Sequence, residues 1–266
     1  MTDYERPIVK LDRLTLITEC IPPCRRLIDI GSDHATVPLN ALRSGMCEKV
    51  LITDINEGPI EVARRRIEAA GFSEVCRFML TDGLDAIEPE EGDVVLISGL
   101  GGENIARIIE RGYRKLSLIK RLILQPQTKE DVLRETVHRL PLTLLDERIA
   151  VEDRRPYLVM VYNTSTHTSA QLLSDIDIAF GPKILERIGG LVQNFSKNEL
   201  VGKGTSGVLM EMSNDTLIAS CDRARIVYMI AKYDKIVQRA RFQTCDQLLL
   251  RAVDEWFSSH VCDASM

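Results

Sequence analysis

The sequence predicts an α/β fold in which a mostly parallel sheet is wound on both faces by helices and followed by an α-helical appendage. Three observations predict it. Short apolar runs alternate with amphipathic segments through the first half of the chain. The first two runs, Leu27–Ile30 and Val50–Ile55, each carry an aspartate near their C-terminal end, and a glycine turn follows the first. Beyond residue 165 strand-like runs cease and helical spacing continues. Strands and helices in alternation imply parallel strands joined by right-handed crossovers.

In chain order, Leu11, Leu14, Ile17 and Ile21 recur at helical spacing until Pro22-Pro23 stops them. Strands are expected at Leu27–Ile30, Val50–Ile55, Val75–Leu80, Val94–Ser98 and Leu122–Gln125, with helices at Pro38–Ser44, Pro59–Ala70, Glu103–Arg111 and Lys129–Arg139. Pro38 and Pro59 fall in first helical turns, where proline is tolerated. Leu142–Val151 and Tyr157–Tyr162 read as two further strands around the charged turn Glu152–Pro156, a hairpin that brings the sheet to seven strands.

The polar stretch Asn163–Ser169 marks the expected boundary between a domain at 1–165 and a helical appendage at 166–266. Gly181–Phe195 has a helical pattern, and Gly202–Gly207 with Ser213-Asn214-Asp215 breaks the chain. Ile226, Met229, Tyr233, Ile236 and Ala240 then form a seam of alternating three and four spacing, expected to pair within the chain with Gly181–Phe195 as a helical hairpin.

At 266 residues and 45% apolar composition the chain can bury a substantial core. A net charge of −5 excludes a global basic field but not a local one. Seven cysteines without paired spacing and four dispersed histidines form no metal-ligand pattern, so no metal is expected. No uncharged apolar run reaches a membrane span and no secretory signal follows Met1, so a reduced cytoplasmic protein, expected as a monomer, is the reading.

In doubly wound sheets ligands bind beyond the C-terminal strand ends, where strand order reverses. Here that edge carries Asp29-Ile30-Gly31-Ser32-Asp33-His34-Ala35 after the first strand and Asp54-Ile55 after the second. Asp33 and Ala35 replace the later glycines of a dinucleotide fingerprint, which weighs against pyrophosphate. Two acids at successive strand ends suit a ligand with an amine and a ribose, and S-adenosylmethionine has both. Asp29 would face the amine or brace its own turn. Asp54 would accept ribose hydroxyls or cap the following helix. Asp82 in Thr81-Asp82-Gly83-Leu84 would meet an adenine amino group or serve an Asp-Gly turn.

The fourth strand runs into Ser98-Gly99-Leu100-Gly101-Gly102-Glu103-Asn104. A tight turn needs one glycine, not three, so this segment reads as the mouth where a flat acceptor meets the methyl group, with Gln125-Pro126 as a further wall. His34 is either a general base or a hydrogen-bonding neighbour. Among Ala219–Arg251, seven basic residues (Arg223, Arg225, Lys232, Lys235, Arg239, Arg241, Arg251) face three acids, a local excess that suits RNA phosphates or an ordinary solvated face.

Asp29-Ile-Gly-Ser-Asp-His-Ala, Asp54-Ile-Asn-Glu-Gly-Pro59, Asp82-Gly-Leu, Gly99-Leu-Gly-Gly102, Leu124-Gln-Pro126 and Phe180-Gly-Pro182 occur in order at compatible spacing. Together they resemble the bacterial tRNA (adenine(22)-N1)-methyltransferase family, TrmK. The resemblance implies a Rossmann-like class I methyltransferase with S-adenosylmethionine as cofactor and tRNA as partner, no membrane and no metal. It implies cofactor contacts from Asp29, Gly31, Ser32, Asp33, His34, Asp54, Ile55, Asp82, Gly83 and Ser98. Acceptor positioning would fall to Gly99, Gly101, Gly102 and Asn104, bordered by His34. Thr36 and Leu100 depart from the aromatic and methionine expected there. A methyltransferase of the same fold with another acceptor, or a noncatalytic cofactor-binding or RNA-binding module, are the alternatives.

Overall fold

The structure is a computed structural model that describes residues 12–32, 34–153, 155–164, 173–194, 204–215, 219–240 and 243–262. Its first half alternates as read: α1 (Arg13–Glu19), β1 (Cys24–Ile30), α2 (Thr36–Arg43), β2 (Cys47–Asp54), α3 (Glu57–Ala69), β3 (Cys76–Leu80), β4 (Val94–Leu100), α4 (Gly102–Gly112), β5 (Arg121–Pro126), α5 (Glu130–His138), β6 (Thr143–Glu152) and β7 (Arg155–Asn163). The strands form one seven-stranded sheet in the order β3-β2-β1-β4-β5-β7-β6. β1 pairs in parallel with β2 and β4, β2 with β3, and β4 with β5, whereas β7 runs antiparallel to β5.

The reason is legible in burial. Leu27–Ile28 of β1, Val50–Ile52 of β2, Val94–Ile97 of β4 and Leu122–Leu124 of β5 are buried in continuous runs, as strands covered on both faces must be. Ile17, Leu39, Ala63, Ile67, Ile105, Ile109, Leu133 and Val137 supply the covering helix faces. Chain order turns outward from β1 to β2 and β3, then returns past β1 to β4 and β5. The reversal therefore lies between β1 and β4, and the crevice for a ligand opens beyond their C-terminal ends.

The chain divides into two compact units, one within Asp12–Glu147 and Tyr157–Leu172, the other within Arg148–Pro156 and Leu173–Met266. Residues 165–169, where the domain boundary was expected, lie outside the described residues.

Beyond the tip of the β6–β7 hairpin, the second unit contains the helices α6 (Asp175–Phe180), α7 (Pro182–Asn194), α8 (Thr205–Asn214), α9 (Ser220–Ala240) and α10 (Thr244–Cys262). α6 was not foreseen; Ser174 starts it with a capping box, its Oγ accepting the Asp177 amide while Asp177 Oδ2 accepts the Ser174 amide at 3.0 Å. The expected seam is real, since Ile226, Met229 and Ile236 are buried. α9 meets α7, but it packs more extensively on α10 and α8. Sequence spacing identifies an apolar stripe without naming its partner. Among the described residues no helix is long and apolar enough to cross a membrane.

Candidate active site

The end of β1 carries the most strongly perturbed acid of the crevice. Asp29 sits in register with Ile52 of β2 and Leu96 of β4 and is only 4% exposed. Burial pushes its carboxyl up to about 6, and the negative charge of Asp54 pushes the same way against a hydrogen bond from Ser32. The amides of Gly31 and Ser32 both donate to the Thr53 carbonyl, at 2.8 and 3.2 Å, which fastens the turn to β2. Ala35, at a lost glycine position, adopts a left-handed φ of 50°. His34 is exposed, and its carbonyl accepts Arg66 Nη1 at 2.6 Å. Asp33 lies outside the described residues.

Asp54 ends β2 half-buried, with Oδ1 accepting the Asn56 amide at 2.8 Å. This turn contact orients the carboxylate, so bracing and ligand binding are compatible roles for it. Ile55 beside it is 60% exposed, an apolar surface at the rim of the crevice.

Asp82 is exposed and held from α4. Arg111 Nη2 lies 2.9 Å from its Oδ1 and donates to its carbonyl at 2.9 Å, while Nε reaches Asp85 at 2.9 Å. The guanidinium keeps the Asp82 carboxyl below its ordinary range. Lys115 Nζ continues the clamp by donating to the carbonyls of Leu84, Asp85 and Ile87 at 3.2, 2.7 and 2.9 Å. Gly83 is buried under Ile108 of the same helix.

The three glycines after β4 have three different situations. Gly99 adopts a φ of 79° at a register shift between Ser98 and Leu100, and nothing stands within 4 Å of where its Cβ would be. Gly101 is the N-cap of α4, its Cβ position 3.4 Å from Thr128 Oγ1. Gly102 is buried, and a Cβ there would meet the carbonyl oxygens of Lys129 and Thr128 at 2.2 and 2.7 Å. Of the three, only Gly99 leaves open space beside its Cα. Asn104 is exposed, its Oδ1 accepting from Arg107. Ser98 is half-buried in β4.

Gln125 departs from the expected wall of the mouth, because it is fully buried and presents no surface. Its Oε1 accepts Arg13 Nη1 at 2.8 Å and the Gly99 amide at 3.2 Å, and its Nε2 donates to the Pro126 carbonyl at 2.7 Å. The loop after β5 is bonded to the loop after β4 at two further points: Gln127 N to Leu100 O at 2.8 Å and Gly102 N to Thr128 O at 2.7 Å. Sequence reading missed Arg13, Arg111 and Lys115. A lone cation on a short amphipathic segment carries no signal of its partner.

Part of the basic excess in the helical unit is neutralised internally. Arg225 pairs with buried Asp222 at 2.9 Å, as Arg187 does at 2.7 Å, and Arg239 pairs with Asp246 at 2.8 Å. Arg241 lies outside the described residues. No group of three His, Cys, Asp or Glu among the described residues could hold a metal ion.

A parallel sheet closed by an antiparallel strand, with acids at the C-terminal ends of β1 and β2, is the Rossmann-like arrangement of methyltransferases. Residues 11–160, more than half of the chain, match the family described as methyltransferase domain, and the chain belongs to it. Among known proteins it is similar to the tRNA (adenine(22)-N(1))-methyltransferase of Bacillus subtilis, 35% identical over 158 residues that span 59% of this chain and 66% of that relative, just under two thirds of it. Its structure is also similar to a candidate tRNA (m1A22) methyltransferase of Streptococcus pneumoniae in complex with S-adenosyl-L-methionine, with a TM-score of 0.61 and 29% identity over 84% of this chain and 97% of that one. The crystal structure of the B. subtilis m1A22 tRNA methyltransferase TrmK shares the fold, with a TM-score of 0.61 and 24% identity over 94% and 97% of the two chains.

Proposed function

We propose that this chain transfers the methyl group of S-adenosylmethionine to N1 of adenine 22 in the D-arm region of tRNA. One observation carries the reading. Asp29 is a buried carboxylate at the switch point with no cationic side chain paired to it among the described residues. Such a group is costly to ionise until a positively charged ligand arrives. The ammonium of S-adenosylmethionine fits that need, and its adenosine end fits Asp54, exposed Ile55 and the clamped Asp82 loop. The similarity to tRNA (adenine(22)-N(1))-methyltransferase supports the same acceptor.

When bound, S-adenosylmethionine supplies an electrophilic methyl group on a sulfonium. Gly31, Ser32, Asp33, His34, Gly83 and Ser98 would complete the cofactor pocket around Asp29, Asp54 and Asp82. Gly99 leaves room for the base, Gly101 and Gly102 start α4 at the same edge, and Asn104 borders the mouth. Neutral adenine N1 already presents a lone pair, so the residues need to align the base and exclude water and do not need to remove a proton. Such alignment can contribute roughly 7–11 kcal/mol. His34 then serves as a polar neighbour and not as an obligatory base.

The helical unit, within the appendage proposed at 166–266, would hold the tRNA body through shape and phosphate contacts. A cytoplasmic monomer is part of this reading, and light scattering checks the second half of it. The deciding experiment is methyl transfer from labelled S-adenosylmethionine to unmodified tRNA, with nucleoside mass spectrometry. N1-methyladenosine at position 22 is the expected product. Cofactor binding without methylated RNA would redirect the reading to another acceptor.

A further inference from the structure

We propose that Gln125 and Arg13 are positioning residues for methyl transfer, which fix the Gly99 peptide and through it the place where the acceptor base meets the methyl group. The inference rests on the functional reading above and adds two residues that act through the Gly99 peptide.

The argument starts from what a buried glutamine must satisfy. Gln125 is fully buried, where leucine or methionine would fill the volume without burying an amide. What those residues could not do is receive the Gly99 N–H. That amide belongs to a left-handed residue at a register shift, displaced from the regular ladder between β4 and β5. Gln125 Oε1 accepts it at 3.2 Å.

Arg13 determines which end of the Gln125 amide does this. A guanidinium only donates, so Arg13 Nη1 at 2.8 Å requires an oxygen opposite it. The Pro126 carbonyl only accepts, so it requires the NH2 group, which donates to it at 2.7 Å. Together they exclude the flipped amide, which would set NH2 against the Gly99 N–H. Arg13 is itself placed by the Tyr157 ring, whose centroid lies 5.3 Å from its Cζ. The open side of Gly99 thus faces a base while its amide is anchored from the sheet interior by a relay that begins on α1.

The test uses the full chain with unmodified tRNA, measuring kcat, KM for each substrate, cofactor affinity by calorimetry and the unfolding midpoint. Gln125→Met should lower kcat about a hundredfold, the scale of a small misplacement of reacting groups. Cofactor affinity should stay close to wild type, and the unfolding midpoint should fall modestly, because Arg13, the Gly99 N–H and the Pro126 carbonyl lose their partner while the protein stays folded at the assay temperature. Arg13→Met should lower kcat less, Arg13→Lys should recover most of that loss by keeping a donor, and the double Met variant should be no worse than Gln125→Met alone, because Arg13 acts through Gln125. A wild-type kcat in Gln125→Met, or a loss accounted for by weakened cofactor binding or by the unfolded fraction, overturns the inference. Additive losses in the double variant overturn the relay. A wild-type chain that leaves tRNA unmethylated overturns the functional reading and this inference with it, whereas an active wild type with an indifferent Gln125→Met overturns this inference alone.

Discussion

Gly102 and Lys129 approach so closely that a methyl group on the first would overlap the carbonyl oxygen of the second, at 2.2 Å. Both are backbone contacts of one packed junction, and neither can yield by rotating a side chain. Gly102→Ala should therefore destabilise the protein by about 1–3 kcal/mol or more, the range of overpacking. Gly99→Ala meets no neighbour, and its cost is the left-handed φ alone, about 1–2 kcal/mol. Urea denaturation should rank the pair in that order. Activity should fall out of proportion to stability in Gly99→Ala, since the added methyl group enters the open space of the mouth.

The proposed contact of Asp29 with the cofactor ammonium makes binding depend on pH. In the unliganded protein its carboxyl titrates at about 6. The unfolded chain releases the same proton near 3.9, so the folded chain alone holds it between about 4 and 6. This group therefore costs stability as pH rises through that window, and the cost stays constant above it. Cofactor affinity has the opposite preference, because the ammonium needs the ionised carboxylate. It should weaken about tenfold for each pH unit below 6. Asp29→Asn should bind weakly at every pH from 5 to 8 without losing unliganded stability at pH 7. Calorimetry over that range checks both, and a pH-independent wild type would remove Asp29 as the partner of the ammonium.

Arg111 holds Asp82 and Asp85 from an exposed position. Exposed ion pairs contribute little to stability, so Arg111→Ala should leave the unfolding midpoint nearly unchanged. It should weaken cofactor binding about fivefold, the worth of one hydrogen bond of ~1 kcal/mol. Equal affinity in the variant would show that Asp82 needs no orientation or touches no ligand.

Arg134 of α5 and Glu147 of β6 form a wholly buried pair, with Nε and Nη2 both 2.9 Å from Oε1. Burial pushes the Tyr162 hydroxyl up, and the negative charge of Glu147 pushes it the same way. Arg134→Met takes the guanidinium away from a buried carboxylate and should cost about 3–5 kcal/mol. Arg134→Met with Glu147→Leu should recover most of it. Chemical unfolding of the two variants decides whether the pair stabilises the hairpin strands or only specifies their packing.

The sheet was legible because a buried parallel strand must be an apolar run, and Leu27–Ile30, Val50–Ile55 and Val94–Ser98 have no other comfortable place. The placement of Asp29, Asp54 and Gly99 at the strand ends was legible because acids and glycines there are out of keeping with the runs before them. The fastening of the site was not. Arg13, Gln125, Arg111 and Lys115 act across long stretches of sequence, and a cation or amide on a helix or strand reveals nothing of the acceptor it will find. The same holds for α9, whose stripe was visible while its preference for α10 and α8 over α7 depended on shapes that no spacing encodes.

α4 joins two of these fastenings. It begins at Gly102, wedged against Lys129, and near its other end Arg111 grips Asp82. Eleven residues at about 1.5 Å each make it a rod of about 16 Å. The rod works as a gauge block between the loop after β4 and the Asp82 loop after β3. One residue inserted between its ends would swing Arg111 about 100° around the axis, away from Asp82. The calibration of this site therefore resides in a helix length as much as in any side chain that faces a ligand.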